Sequence, residues 1–229
     1  MFQARIRNEP RQHQLFTGSF NDARLPSVSQ LGQRNPDSKP LEFQIQEQYT
    51  GNVEATRLLY KAKLKDSERV SLVKFARQYS PKLHDICAKA GHAPALLAYQ
   101  RLPGGWHGIA MDFEADTVPI THHSHISEHL ERWETDLNNL IGHFHGQGFV
   151  HGDLRDANIL IGNDGTVKLV DFDWGGEEGE VWYPMPTLND ELLVGRVSED
   201  LKITKGDDLR ILGNTLAKAR RVAQAITAA

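Results

Sequence analysis

Two stretches of the chain repeat apolar residues at helical spacing. From about Ser127 to Gln147 the apolar positions recur about every three to four residues, and Gly148 follows as a helix-ending residue. This stripe consists of Leu130, Trp133, Leu137, Leu140, Ile141 and Phe144. A second stretch begins at Gly206 and reaches roughly Ala225. Its apolar side is formed by Leu209, Ile211, Leu212, Leu216, Ala217 and Val222. Both patterns predict amphipathic helices that pack on a core.

Other stretches have the composition of strands. The run from Val70 to Phe75 is rich in apolar residues and contains one lysine, Lys74, which is costly to bury unless it is paired. Two further strands are predicted over 95–99 and 108–114, on either side of a turn at Pro103. The sequence alone leaves Lys74 equally compatible with a solvent-facing edge position and with a functional one.

A short helix is predicted after the first of these strands. Ser80 is a suitable N-cap, Pro81 suits the first helical position, and Gly91 is expected to end the helix just after Lys89. Cys87, the one cysteine of the chain, lies in this helix. It is interpreted as a small buried hydrophobic residue rather than a reactive thiol.

A hairpin is predicted around Asp164-Gly165, which separates two short apolar runs. A two-residue turn there would place Asn158 directly opposite Asp171, with Cα atoms about 5 Å apart. An amide and a carboxylate oxygen at that separation suit Mg²⁺, which prefers a few oxygen ligands plus waters and phosphates. Asp153, just before the first strand of the hairpin, would lie close enough to accept a proton from a hydroxyl group.

Composition limits the partners. The chain has 229 residues and a net charge of −4, which indicates one domain or two packed lobes and argues against binding to nucleic acid. No apolar run approaches the ~20 residues that span a bilayer, so no membrane partner is expected. Residues 1–40 are polar and aperiodic and are predicted to be a flexible arm. A cytoplasmic location is expected, with an organelle-targeting signal in the arginine-containing arm as the open alternative. The oligomeric state is left open.

The segment that begins His151-Gly-Asp153 resembles the catalytic core of the protein-kinase-like superfamily. An H-x-D-x-x-x-x-N loop ends at Asn158, and Asp171-Phe-Asp stands where kinases have D-F-G. The V-H-G-D-L-R and D-F-D-W signatures are similar to those of short fungal-type kinase-like proteins. The resemblance implies that Asp153 is the catalytic base, that Arg155 is the basic residue of the catalytic loop, and that Asn158 and Asp171 are metal ligands.

The same resemblance implies an α+β, two-lobed protein-kinase-like fold. A small β-rich N-lobe would cover about 41–114, and a shortened, mainly helical C-lobe about 115–229. The cofactors would be ATP and Mg²⁺, and Lys74 would contact phosphate in a catalytic role. The full set of implied ATP-binding residues is Lys74, Gly51, Leu72, Met111, Asp112, Phe113 and Glu114. His151 and Asp208 would support the catalytic loop structurally.

Several positions depart from the kinase pattern. The segment before the second strand has one glycine, Gly51, where kinases have three, and Leu72 stands where a small alanine is usual. The short helix lacks the glutamate that usually pairs with the lysine. His84 and Asp85 are the candidates for that partner, and the sequence leaves both open.

Three functions remain. The first is ATP-dependent phosphorylation of a hydroxyl group, with protein Ser/Thr favoured by Arg155. The second uses a small-molecule acceptor, as in aminoglycoside and choline kinase-like enzymes, which often have H-G-D. The third is a pseudokinase that acts as a nucleotide-binding interaction module. A two-metal phosphoesterase is disfavoured because no histidine follows His151. The cluster Thr121-His-His-Ser-His125 is interpreted as a solvated loop rather than a zinc site.

Overall fold

The structure is a computed structural model in which six ranges of the chain are described. These ranges are 26–33, 37–50, 58–67, 69–184, 190–196 and 200–228. Within them, no helix combines the length with the apolar character that crossing a membrane requires.

The N-terminal part is an antiparallel six-stranded sheet with one helix. Its elements are β1 (Gln30–Leu31), β2 (Leu41–Gln48), β3 (Leu58–Leu64), β4 (Val70–Ala76), α1 (Pro81–Lys89), β5 (Leu96–Leu102) and β6 (Trp106–Asp112). The strand order is β1-β2-β3-β4-β6-β5. Alternating side chains from these strands, including Phe43, Tyr60 and Val73, form a compact apolar cluster on one face of the sheet.

The C-terminal part is mainly helical. It contains β7 (Thr117–Pro119), α2 (Ile126–Gly146), β8 (Phe149–Val150), β9 (Ile159–Gly162), β10 (Val167–Leu169), β11 (Gly176–Glu177), α3 (Asp190–Leu193) and α4 (Lys205–Thr227). The helices α2 and α4 pack against each other and against the short strands, and a second apolar core links them to α1. The molecule is therefore an α+β protein with a β-rich N-terminal part and a helical C-terminal part, as predicted.

The predicted helices form close to their predicted bounds. In α2, every residue of the predicted stripe is buried, and Gly148 adopts a φ of +82° just after the helix. In α1, the Ser80 side chain accepts a hydrogen bond from the Leu83 amide, and Gly91 has a φ of +81°. Cys87 is buried as predicted, and burial raises the pKa of its thiol to about 12. In α4 the prediction is wrong for Leu209, which is 54% exposed.

The predicted flexible arm is too long. Within the nominal arm, β1 pairs with β2, and Leu31 is completely buried in the apolar cluster of the sheet. The burial of a single leucine and two residues of strand pairing were not visible in a segment dominated by polar side chains.

The hairpin between β9 and β10 has a different register from the predicted one. Ile159 is paired with Leu169, so the loop contains three residues, Asn163 to Gly165, rather than two. Gly165 is left-handed with a φ of +75°, whereas Asp164 is not, which fits a type I turn followed by a left-handed glycine. The extra loop residue places Val170, not Asp171, opposite Asn158, and the Val170 amide donates to the Asn158 carbonyl at 3.1 Å.

Candidate active site

A cleft of about 110 Å³ lies between the large sheet and the β9–β10 hairpin. Most of the predicted ATP-binding and metal-binding residues line it, namely Leu72, Lys74, Met111, Asp112, Phe113, Glu114, Asn158 and Asp171. Gly51 lies outside the described residues. Sequence reasoning missed Tyr49, Leu59, Pro94, Thr117, Ala157, Leu160 and Val170, which also line the cleft. Those residues come from strands and loops that only the folded sheet brings to one place.

The sheet positions one wall of this cleft. Met111 is 8% exposed and lies on β6 beside Leu72 of β4, so it both packs in the core and faces the cleft. The Asp112 amide already donates to the Ala95 carbonyl at 3.0 Å. That N–H therefore already has a partner within the sheet, and the ATP-binding role of Asp112 stays a prediction.

Lys74 is held by two carboxylates. It lies on β4, is 6% exposed, and its Nζ is 2.5 Å from Asp171 Oδ1 and 2.6 Å from Asp173 Oδ1. Burial opposes the charge of the ammonium group, but the two carboxylates outweigh burial and raise the pKa of Lys74. A buried lysine with this pairing remains charged and is suited to a polyanionic ligand.

The partner expected from α1 is not found among the described contacts of Lys74. His84 is completely buried, and its two ring nitrogens lie 2.6 Å from the Tyr79 hydroxyl and 2.7 Å from the Pro94 carbonyl. Its ring stacks on Phe172 at 4.6 Å. His84 therefore does not pair with Lys74, whose two carboxylate contacts come from the D-F-D segment.

Asp171 and Asn158 line the same cleft despite the shifted hairpin register. Asp171 has a φ of +67°, the one left-handed conformation among the described non-glycine residues, which changes the direction of its side chain at the end of β10. The Asn158 Nδ2 donates to the Asp153 carbonyl at 3.0 Å, which leaves the amide oxygen as the group for a cation. One buried carboxylate and one amide oxygen fit Mg²⁺, which retains several waters and phosphate ligands.

Asp153 lies directly beside this pair and is 3% exposed. Arg155 donates from Nε to Asp153 Oδ1 at 2.5 Å and from Nη2 to Oδ2 at 2.9 Å. The intervening Leu154 carbonyl accepts a hydrogen bond from Thr215 of α4 at 2.9 Å. The loop and the helix together fix the direction of the carboxylate.

Asp208 binds the backbone at the start of this loop. Its side chain is completely buried in the first turn of α4 and accepts hydrogen bonds from the His151 amide at 2.8 Å and the Gly152 amide at 2.7 Å. His145 of α2 is a third partner, at 2.9 Å. His151 is also completely buried, and its ring lies 5.3 Å from that of Phe172. These two residues therefore connect the loop to α2, α4 and the D-F-D segment.

Two parts of the site were not identified from sequence. The sequence shows an aspartate, Asp173, in place of the glycine of D-F-G. It does not show that this carboxylate contacts Lys74. The capping box in which Thr204 and Asp207 exchange hydrogen bonds at the start of α4 was visible as a Thr-x-x-Asp pattern. The capping box depends on four consecutive residues, whereas the contact of Asp173 with Lys74 joins residues far apart in sequence and is decided by the fold.

Among the described residues, no group of three or more histidine, cysteine or acidic side chains is arranged to hold a metal ion. This includes the cluster from Thr121 to His125, in which Thr121 is buried and donates to Asp156 at 2.9 Å.

No family model matches the chain. The chain is similar to several curated Ser/Thr kinases over about a third of its length. It is 38% identical over 80 residues to the PAS domain-containing serine/threonine-protein kinase of Mus musculus, covering 34% of this chain and 6% of that protein. It is 33% identical over 95 residues to cyclin-dependent kinase-like 2 of Homo sapiens, covering 37% of this chain and 18% of that protein. The chain thus spans a small part of the length of the relatives it matches.

Among solved structures, the Cydia pomonella granulovirus kinase PK-1 superposes with a TM-score of 0.58 at 13% identity, covering 77% of this chain and 67% of that one. The chain has the protein-kinase-like fold. The curated matches to Ser/Thr kinases agree with the resemblance of its loop signature to the protein-kinase-like superfamily. The closer similarity to short fungal-type kinase-like proteins stays a prediction. In this kinase-like fold, the cleft between the sheet and the hairpin corresponds to the space between the two lobes.

Proposed function

We propose that the protein transfers the γ-phosphate of ATP to a hydroxyl group, most favourably that of a protein Ser or Thr. The observation that supports this is a single connected network at the cleft. Lys74 is paired with Asp171, the Val170 amide binds the Asn158 carbonyl, and Asn158 in turn binds the Asp153 carbonyl. A phosphate contact, two cation ligands and a proton acceptor are therefore held in fixed relation to one another.

Each residue has a separate part in the transfer. Lys74 would bind the phosphates of ATP through its charged ammonium group. Asp153 would accept the proton of the acceptor hydroxyl while that oxygen forms a bond to the γ-phosphorus, and the bond from the γ-phosphorus to the bridging oxygen breaks to release ADP. Asn158 and Asp171 would hold Mg²⁺, which neutralises charge on the phosphates when bound. Arg155 would orient Asp153 through its two hydrogen bonds to the carboxylate.

The acceptor is proposed on two grounds. The curated relatives that match part of the chain are named as serine/threonine kinases, and Arg155 matches the basic residue of the protein-kinase loop. A small-molecule acceptor is the second candidate. It is favoured by a cavity of about 330 Å³ that adjoins Arg155 and is lined by Glu191, Asn214 and Lys218 among others.

The test compares ATP binding with phosphoryl transfer. Calorimetry with ATP in the presence and absence of Mg²⁺ measures binding, and radiolabelled ATP measures transfer to protein mixtures and to small alcohols. We expect the Asp153→Asn variant to bind MgATP normally but to transfer phosphate roughly 10² to 10⁴ times more slowly. Asp66→Asn, an exposed turn residue, is the matched control and should behave as the wild type.

Each outcome separates the candidates. Transfer to small alcohols but not to proteins would replace the favoured acceptor with the second one. Binding of MgATP without any transfer would identify a pseudokinase. If neither Mg²⁺ nor ATP binds, the proposed function itself is wrong.

A further inference from the structure

The lysine of the cleft is tied to the D-F-D segment rather than to α1. Lys74 Nζ contacts one carboxylate oxygen of Asp171 and one of Asp173, at 2.5 and 2.6 Å. The residue of α1 that faces this region, His84, has both ring nitrogens bonded to Tyr79 and to the Pro94 carbonyl. The charge that usually comes from the helix therefore comes from the segment that follows the hairpin.

The carboxylates of Asp171 and Asp173 are not equivalent once Mg²⁺ and ATP are bound in the cleft. Under the proposed function, Asp171 is a ligand of Mg²⁺, and a bound cation competes with Lys74 for its negative charge. A lysine that is 6% exposed is strongly destabilised without a carboxylate partner. Asp173, with a side chain that is 28% exposed, is then the carboxylate partner that remains for Lys74.

The backbone around Asp173 is fixed to α1. The Ser80 amide, at the N-cap of α1, donates to the Phe172 carbonyl at 3.0 Å. Phe172 itself is buried between His84 and His151. Two residues after Asp173, a Cβ atom on Gly175 would lie 2.6 Å from Leu83 of α1. This segment therefore approaches the helix more closely than any residue with a side chain would allow. The position of Asp173 is thus set by the same helix that usually provides the glutamate.

We propose that Asp173 is the positioning residue for Lys74, the carboxylate that holds the lysine toward the phosphates of ATP while Asp171 binds Mg²⁺. This role rests on the proposed function and explains two departures from the kinase pattern as one change. In this explanation the carboxylate that pairs with the lysine lies in the D-F-D segment instead of α1. This accounts both for the missing glutamate of α1 and for the aspartate at the third position of D-F-D.

The test is a double-mutant cycle on MgATP binding at saturating Mg²⁺, with Asp173→Asn, Lys74→Ala and the combined variant. We expect Asp173→Asn to weaken binding about tenfold or more, because it removes an ion-pair partner of the buried lysine. In the Lys74→Ala background the same change should alter binding by less than about twofold. Asp173→Glu, which keeps the carboxylate, should restore most of the affinity. Glu180→Gln, an exposed acidic residue of the same segment, is the control and should bind as the wild type.

The outcomes distinguish this role from the alternatives. If Asp173→Asn weakens binding equally with and without Lys74, and raises the Mg²⁺ concentration needed for half-saturation, then Asp173 is a cation ligand and the positioning role is wrong. If Asp173→Asn binds MgATP like the wild type while remaining folded by thermal denaturation, the role is likewise wrong and the proposed function stands. If the wild type binds no MgATP, the proposed function fails and this role fails with it.

Discussion

Arg155 donates a hydrogen bond to each carboxylate oxygen of Asp153, from Nε at 2.5 Å and from Nη2 at 2.9 Å. These hydrogen bonds raise the pKa of Arg155, in spite of its partial burial. Glu191 of α3 lies 3.7 Å from the remaining guanidinium nitrogen. A planar group with two parallel donors fixes the plane of the carboxylate as well as its distance, which a point charge does not.

Replacement of Arg155 by lysine should therefore slow transfer although the charge is kept. The lysine cannot donate to both oxygens at once, and a misoriented base costs roughly 10²-fold in rate. Steady-state transfer assays should show this loss mainly in kcat. Arg132→Lys, at an exposed position on α2, is the matched control. A lysine variant with the rate of the wild type would show that the two-point contact has no catalytic value.

The conformation and surroundings of Gly152 explain why a glycine lies between His151 and Asp153. Its φ is +82°, and a Cβ atom there would lie 3.0 and 3.2 Å from two carbons of Ile203. Gly152→Ala should lower the free energy of unfolding by about 1–3 kcal/mol, measured by chemical denaturation, from backbone strain and overpacking. Gly142→Ala is the control, since Gly142 lies within α2 with no neighbour near its Cβ position. That variant should be more stable than the wild type by about 0.5–1 kcal/mol. Equal behaviour of the two variants would contradict the strain at Gly152.

Asp171, the proposed cation ligand, has a left-handed backbone conformation. Asn tolerates a φ of +67° much better than alanine does, while both substitutions remove the carboxylate. We expect both variants to lose Mg²⁺-dependent ATP binding by about tenfold or more. The alanine variant should in addition be about 1 kcal/mol less stable than the asparagine variant. Calorimetry and denaturation measure the two effects separately, and equal stability of the two variants would show that the conformation is not strained.

Acid should destabilise the C-terminal part through Asp207. This carboxylate is nearly buried; burial alone would raise its pKa, but hydrogen bonds from Arg210 and Thr204 and the charge of Arg196 lower it below 3.8. A carboxyl whose pKa is lower in the folded state stabilises the fold above its unfolded value, and that stability is lost as the pH falls through the folded pKa. The contribution of Asp207 should therefore be complete at neutral pH and disappear below about 3.8.

Asp207→Asn tests this linkage. At pH 7 we expect it to cost about 3 kcal/mol of unfolding free energy, because Arg196, 5% exposed, loses its carboxylate partner. The difference from the wild type should shrink as the pH is lowered below about 4. Asp66→Asn, in an exposed turn, should show no such pH-dependent difference. A constant difference between wild type and Asp207→Asn at all pH values would disprove the linkage.

Much of the local structure was predictable because it depends on neighbours in sequence. The Ser80–Pro81 start of α1 and the apolar stripe of α2 formed as predicted, since capping and helical periodicity act within a few residues. The three-residue loop at Gly165 was not predicted, because Asp-Gly fits both a two-residue turn and a type I turn with a left-handed glycine. Leu31 was missed because a single apolar residue gives no periodic signal.

The sequence by itself determined the chemistry of the site and its order along the chain. The residue types and spacing of Asp153, Asn158 and Asp171 were sufficient to predict a kinase-like cleft. Only the tertiary structure decided which carboxylate pairs with Lys74. That choice depends on how the sheet, α1 and the D-F-D segment pack, because Lys74 and Asp173 are far apart in sequence. Once the fold buries the lysine, its charge needs a carboxylate partner nearby.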